Sequence, residues 1–267
     1  MPRTLKLTIA YDGSAYAGWQ RQANALGIQA VLEDEIAVIV GAHNPLVAAG
    51  RTDTGVHAAA QVASITIDHP IACDELLKAL NARLKTGDIR IRAIEETFDR
   101  FDARMFAKTK SYRYAIWNGG APNPFMRHVV WHVPYVLDLP RMVLAASALV
   151  GEQDFAAFQG RGSDVKTTVR RVLSAELREI DTDLNQPTAV SPLDANATHR
   201  DGRLLRLEIS GTGFLRHMVR TIAGTLVDIG RGQLPPDGMR RIIDSCDRAE
   251  AGQTAPPQGL MLWRVDY

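Results

Sequence analysis

The sequence predicts an α+β fold made of two halves that share one order, β-α-β-β-α-β. Three observations predict it. Short segments alternate apolar and polar residues with period two, apolar stripes at helical spacing fall between them, and the same succession occurs twice.

The elements follow in order. Leu5, Leu7 and Ile9 alternate with Lys6 and Thr8, which predicts a strand over 4–11. Ile28, Val31, Leu32, Ile36 and Ile39 form one stripe and predict a helix over 28–40. An apolar run predicts a strand over 46–50, and Ala63, Ile65 and Ile67 against Ser64 and Thr66 predict another over 60–67. Leu76, Leu77, Leu80 and Leu84 mark a helix over 74–84, with Asp74 as its cap. Ile89, Ile91 and Ala93 against Arg90 and Arg92 give a strand over 88–96.

The second half opens with a strand over 111–117 and a helix over 140–150 carrying Met142, Leu144, Leu149 and Val150. Strands over 169–180 and 203–210 follow, the latter with Leu205, Leu207 and Ile209 on one face. Phe214, Met218, Ile222, Leu226 and Ile229 line a helix over 214–229 that ends near Gly230, and a strand over 260–266 closes the chain. Each succession is the ferredoxin-like split βαβ order. The expected architecture is a half over 1–103 and a half over 104–267, with joined, mainly antiparallel sheets, a cleft between them and helices on the opposite face. Residues 181–202 are polar, Pro-containing and aperiodic, and read as a long loop.

Composition narrows the function classes. Apolar residues make up 46% of 267, enough for a sizeable core. No apolar run approaches bilayer length, and the start shows no signal-peptide pattern. Cys73 and Cys246 stand alone, which disfavours a disulfide framework or a cysteine metal site and fits a cytoplasmic location. Residues 1–103 hold 10 basic and 13 acidic side chains, against 21 and 17 in 104–267, so a polyanion meets more basic surface in the second half.

One loop concentrates candidate chemistry. Gly50-Arg51-Thr52-Asp53-Thr54-Gly55-Val56-His57 follows the short strand, with glycines that allow a tight excursion. Arg51 is near enough to favour an ionised Asp53, and a positioned carboxylate is a usable nucleophile. On spacing alone, an aspartate that hydrogen-bonds its own turn is the commoner outcome. Residues 100–114 interleave Arg104, Lys108, Lys110 and Arg113 with Phe101, Phe106, Tyr112 and Tyr114, a mixture suited to phosphates and unpaired bases. It equally fits a strand with Tyr112 and Tyr114 on its core face. Arg216 and Arg220 stand four apart in the fourth helix, off its apolar stripe. Gly211-Thr-Gly213 lacks the third glycine of a dinucleotide fingerprint and reads as a helix entry. His128 and His132 lack the glutamate of a zinc protease motif, Asp12 reads as a turn residue, and the four tryptophans read as packing.

The motifs together resemble one family. Gly50 to Ala58 resembles the signature loop of the TruA-type tRNA pseudouridine synthases. Tyr11-Asp-Gly-Ser14, Tyr16 and Gly18-Trp-Gln20 resemble that family's opening motif. Phe101-Asp-Ala-Arg104 with Lys108, Lys110 and Tyr112-Arg-Tyr114 resembles its second, and Gly211 to Arg220 its third. Pro257, Gly259-Leu260 and Val265-Asp-Tyr267 resemble its last strand. The segment 181–202 departs from the family as longer than the expected hairpin.

The resemblance implies isomerisation of uridine to pseudouridine in the anticodon stem-loop of tRNA, at positions 38, 39 and 40, by base flipping. It implies Asp53 as nucleophile, Arg51 as an aid to extrusion, Tyr112 against the target uracil, and Arg220 in the substrate site as a partner for Asp53. Arg104, Lys108, Lys110 and Arg216 are candidates for the RNA backbone. It implies a homodimer; the isomerisation needs no electron carrier or metal, so no cofactor is expected, and no metal-ligand spacing occurs in the sequence. Two other classes share these features: a non-catalytic RNA-binding module, and an aspartate-nucleophile hydrolase of nucleosides or glycosides.

Overall fold

The computed structural model describes residues 1–120, 124–162, 165–181 and 202–267. The expected loop over 181–202 therefore lies, from 182 to 201, outside the described residues. In chain order the elements are β1 (Arg3–Tyr11), α1 (Ile28–Val40), β2 (Val47–Ala48), β3 (His57–Ile67), α2 (Cys73–Arg83), β4 (Ile89–Glu96) and β5 (Thr109–Asn118). They continue with β6 (Trp131–Val133), α3 (Leu139–Ser147), β7 (Gly151–Asp154), β8 (Val169–Ile180), β9 (Arg203–Gly211), α4 (Met218–Gly230), α5 (Gly238–Ser245) and β10 (Leu260–Asp266). The architecture is mixed α and β, and the chain forms two compact units, Met1–Ser111 with Met261–Tyr267, and Tyr112–Leu260.

In the first unit the strands lie in the order β4-β1-β3, β2 adds to β3, and all three pairings are antiparallel. Leu5, Leu7 and Ile9 point into a core with Ala63, Ile65, Ile89 and Ile91, closed by Leu32 and Ile36 of α1 and Leu76 and Leu80 of α2. The β1/β4 register shifts between Thr8 and Ile9, which leaves Arg92 as an extra residue. Beyond the bulge Ile94, not the expected Ala93, takes the buried position. Of the polar positions that alternate in β3, Thr66 is exposed but Ser64 is buried, because residues 101–103 cover it and the Ala103 N–H donates to its Oγ at 3.0 Å. The last strand runs parallel to β3, pairing Met261 with His57 and Leu262 with Ala58. The Tyr267 hydroxyl then donates to the Ala103 carbonyl at 2.8 Å. Asp74 sits inside the first turn of α2 rather than capping it; Ala72 holds the cap position, and an acid in the first turn still complements the helix dipole.

In the second unit the order is β5-β9-β8-β7, with β6 parallel to β5. Leu205, Leu207 and Ile209 join Met142, Leu149, Met218, Ile222, Leu226 and Ile229 in the core. Leu144 and Val150 were expected in that stripe but are exposed, at 63% and 46%. The buried positions of α3 are Met142, Ala145 and Ala146, continued by Leu149, and Leu144 lies about 200° round the helix from Met142. Asp138 caps α3 by accepting the Arg141 N–H at 3.0 Å. Helix α4 begins at Met218 rather than at Phe214, because His217 adopts a left-handed conformation (φ 63°) at its cap and the Met218 N–H bonds the Leu215 carbonyl. Phe214 and Arg216 are thus turn residues, and the four-residue helical spacing expected between Arg216 and Arg220 does not apply. Helix α5 was not anticipated, although Met239, Ile242 and Ile243 carry its buried face at helical spacing. No described helix is long and apolar enough to cross a membrane.

Candidate active site

The loop 50–57 joins β2 to β3, and the residues around Asp53 are pinned while Asp53 itself is only half-buried. Arg51 points outward and is exposed; Thr52, next in line, is buried. The Thr52 hydroxyl lies 2.8 Å from the Tyr11 hydroxyl, and its carbonyl accepts the Trp19 N–H at 3.0 Å. Behind them Gln61 is fully buried, and its amide donates to the Gly50 carbonyl at 2.8 Å and to Tyr11 at 3.5 Å. Burial pushes the Tyr11 phenol up to about 12, against the lowering effect of its bonds to Thr52 and Gln61, so the ring keeps its proton across the physiological range. One buried network therefore holds Gly50 and Thr52, the residues on either side of Arg51.

The far side of the loop is held by the opening motif. The Asp53 carbonyl accepts the Val56 N–H at 3.1 Å, closing a turn in which Gly55 is left-handed (φ 76°). Gly55 in turn donates to the Tyr16 carbonyl at 3.3 Å. Gly18 has φ +87°, and a Cβ there would stand 2.6 Å from the Thr52 carbonyl oxygen and 3.0 Å from the Asp53 carbonyl carbon. A Cβ at Gly13 would collide with the Val56 carbonyl. The two glycines let the 12–18 turn lie directly against the Asp53 backbone.

His57 belongs to this scaffold. Its Nδ1 accepts the Gly13 N–H at 3.1 Å, and an Asp12 oxygen lies 3.1 Å from the same nitrogen. Asp12 is a turn residue, as expected, accepting the Ser14 N–H at 2.9 Å.

Lys110 also comes to the loop. A Cβ on Gly50 would sit 3.6 Å from its Nζ. Burial holds the Lys110 ammonium below its ordinary value, and the nearby Arg104 guanidinium adds to that. Arg104 and Lys108 are exposed, and the Lys108 backbone N–H donates to the Asp266 carbonyl at 2.8 Å.

Tyr112, Arg216 and Arg220 belong to the second unit. Tyr112 is 8% exposed and meets Phe214 edge to face, ring centres 5.2 Å apart. The Arg220 Nε donates to the Ala255 carbonyl at 2.7 Å, and the Ala255 N–H returns a bond to the Arg220 carbonyl, so the guanidinium is anchored at its neck. Tyr114 lies on the core side with its hydroxyl donating to the Pro256 carbonyl; burial raises its phenol, and Arg220 acts in the opposite sense. Arg216 is exposed, and its guanidinium donates to the carbonyls of Arg161 and Gly162.

A positioned acid loop, a buried network beneath it and glycines that admit the opening motif form a coherent set, and comparison with known proteins gives it a family. A family model described as tRNA pseudouridine synthase matches residues 7–104 and 145–267. The chain belongs to that family. The tRNA pseudouridine synthase A of Geobacter sulfurreducens is 40% identical over 265 residues, covering 99% of this chain and 100% of the relative. Those of Geotalea uraniireducens and Acetivibrio thermocellus are each 40% identical over the same share of both chains. Sequence reasoning passed over Gln61 and gave no role to Tyr11, Gly13 or Gly18, although all but Gln61 stand in the opening motif. The signal available for Gln61 was a polar residue in a strand that is otherwise apolar from Ala58 to Ala63.

Proposed function

We propose that this protein isomerises uridine to pseudouridine in tRNA, at positions 38, 39 and 40 of the anticodon stem-loop, with Asp53 as its nucleophile. The pinned geometry of the 50–57 loop carries the reading. Its backbone is held at Gly50, Thr52, Asp53 and Gly55, while Arg51 is exposed and Asp53 half-buried. A carboxylate on so constrained a backbone is pre-organised for attack. The two expected halves, each a split βαβ unit, are the scaffold we assign to it.

The target uridine is stacked or paired, so it must be flipped out, at a cost of a few kcal/mol offset by phosphate and pocket contacts. Arg51 assists that extrusion. Tyr112, braced edge-on by Phe214, packs against the uracil, and Arg220 contributes a fixed positive charge to the bound nucleotide. Arg104, Lys108, Lys110 and Arg216 meet the RNA backbone. The N1–C1′ bond breaks, the base rotates, and C5 bonds to C1′; C5 gives up its proton and N1 ends protonated, so the composition is unchanged. Asp53 enters by attack at C1′, by attack at C6 or by assisting a glycal route, and all three obey this balance. No water is consumed, so no second carboxylate is required to activate one. The resemblance further supports a homodimer acting on one tRNA in the cytoplasm.

The test is to map pseudouridine in unmodified tRNA after incubation with the purified protein and with Asp53→Asn. The expected result is modification at 38–40 by the parent, and no modification by a variant that still binds tRNA. Pseudouridine formation by Asp53→Asn removes the nucleophile assignment. Turnover of free nucleosides without tRNA would favour a hydrolase, and tRNA binding by a parent protein that forms no pseudouridine would favour a non-catalytic module.

A further inference from the structure

Three arginines of the second unit meet on the face of its sheet that turns away from the helices. Leu205, Leu207 and Ile209 of β9 point into the core, so Arg206 and Glu208, which alternate with them, lie on the other face. Arg178 of β8 stands directly opposite Arg206 in the antiparallel register, and such partners share a face with Cβ atoms about 5 Å apart. Arg113 of β5 comes to the same place, its Nε donating to the Glu208 carboxylate at 2.8 Å. Farther along, this face is apolar and covered, with Trp117 and Leu204 packed with Met126 and Val130. At Arg178 it is open, and that side chain is exposed.

Glu208 is bonded to Arg113, and the other acid of these rows, Glu176, stands opposite Glu208 rather than opposite an arginine. Among the described residues neither Arg178 nor Arg206 forms an ion pair, and the Arg206 Nε is buried without a hydrogen-bond partner. Burial holds the Arg206 guanidinium below its ordinary value, Arg113 and Arg178 push it the same way, and Glu208 opposes them. Like charges directly opposite on neighbouring strands destabilise a sheet, and a charged group that loses water without a partner adds a further cost. An anion seated between Arg178 and Arg206 relieves both. Two facing arginines suit a phosphodiester, because the planar fork of each matches phosphate oxygens.

We propose that Arg178 and Arg206, with Arg113 beside them, hold one phosphodiester of the tRNA backbone on the open face of the second sheet. The proposal rests on the function proposed above and adds to it a contact made by three residues that have no part in it. Tyr112 and Tyr114 alternate with Arg113 along β5, and Tyr114 lies on the core side. The phosphate site and the ring assigned to the uracil therefore fall on opposite faces of one strand, and the site binds a nucleotide other than the captured one.

The experiment measures the affinity of intact unmodified tRNA as a function of salt, and the urea midpoint, for the parent, for Arg178→Gln, and for Arg178→Gln with Arg206→Gln. Arg240→Gln with Arg241→Gln is the charge-matched control, since both lie on α5 and pair with Asp244 and Asp237. Losing one phosphate contact flattens the slope of log K against log salt by about 0.7–0.9, so the double variant should flatten by that amount and bind severalfold more weakly at low salt. Arg178→Gln should go part of the way without lowering the urea midpoint, because it removes one member of a like-charged pair. The control should keep the parental slope. A double variant with the slope and affinity of the control overturns the proposal. So does Arg178→Gln if it loses stability while binding tRNA as the parent does, since the arginines would then serve the fold. If the double variant fails to fold, Arg178→Gln decides alone, because that side chain is exposed. A parent that binds tRNA but forms no pseudouridine sinks the function instead, and leaves this site to be judged by its slope.

Discussion

Tyr11→Phe removes one oxygen atom and separates the support of the Asp53 loop from the packing of the core. The ring stays, and with it the tilted contact to Trp19 at 6.1 Å. What is lost is the 2.8 Å bond to the Thr52 hydroxyl, at a residue 6% exposed, and the weaker contact from Gln61. Leaving a buried hydroxyl without its partner costs about 1–3 kcal/mol, reduced because the phenol no longer has to be desolvated. A net loss of about 1–2 kcal/mol in urea unfolding is the expected stability effect. The catalytic effect should be larger in proportion, because Thr52 precedes Asp53 and a misplacement of about 1 Å can cost on the order of a hundredfold. Single-turnover pseudouridine formation on unmodified tRNA should therefore slow at least about tenfold, with tRNA affinity little changed. The same substitution alters alkaline behaviour. The Tyr11 pKa is raised to about 12 in the folded protein, so its contribution is present below the unfolded value near 10 and fades as pH rises through 12. The variant should lose less stability than the parent over that window. Parental rate in a variant that is measurably less stable would refute the reasoning, since the network would then serve the fold and not the site.

Two further substitutions probe the same scaffold. Gly18→Ala forces a side chain onto a left-handed backbone position 2.6 Å from the Thr52 carbonyl oxygen; a loss of about 1–3 kcal/mol and of most activity is expected, read by thermal unfolding and by pseudouridine yield. Glu33 is 1% exposed and accepts from Arg21, Gln29 and the Leu46 N–H, tying α1 to the segment that leads into the loop. Glu33→Ala should cost about 2–4 kcal/mol in urea unfolding, the lower part of that range reflecting the partly solvated Arg21, whereas an unchanged midpoint would show that the buried carboxylate is dispensable.

Much of this architecture is written in local pattern. Leu5, Leu7 and Ile9 could face a core only as a strand, and Ile28, Leu32 and Ile36 only as a helix, because side-chain direction follows from backbone period alone. The loop around Asp53 was legible for a similar reason, since its residue types sit together in the chain. Other features depended on partners distant in sequence. Ile94 replaced Ala93 in the core because a bulge against β1 shifted the register. Helix α4 lost its expected first turn because His217 lies against Gly160, where a Cβ would meet the ring at 2.6 Å. Gln61 became a support for the loop because folding brings Gly50 and Tyr11 to one side of β3. Local sequence determined which residues could carry the chemistry. Tertiary structure decided which others hold them still, because burial and hydrogen bonding are settled by the neighbours a residue meets, and a linear pattern does not contain them.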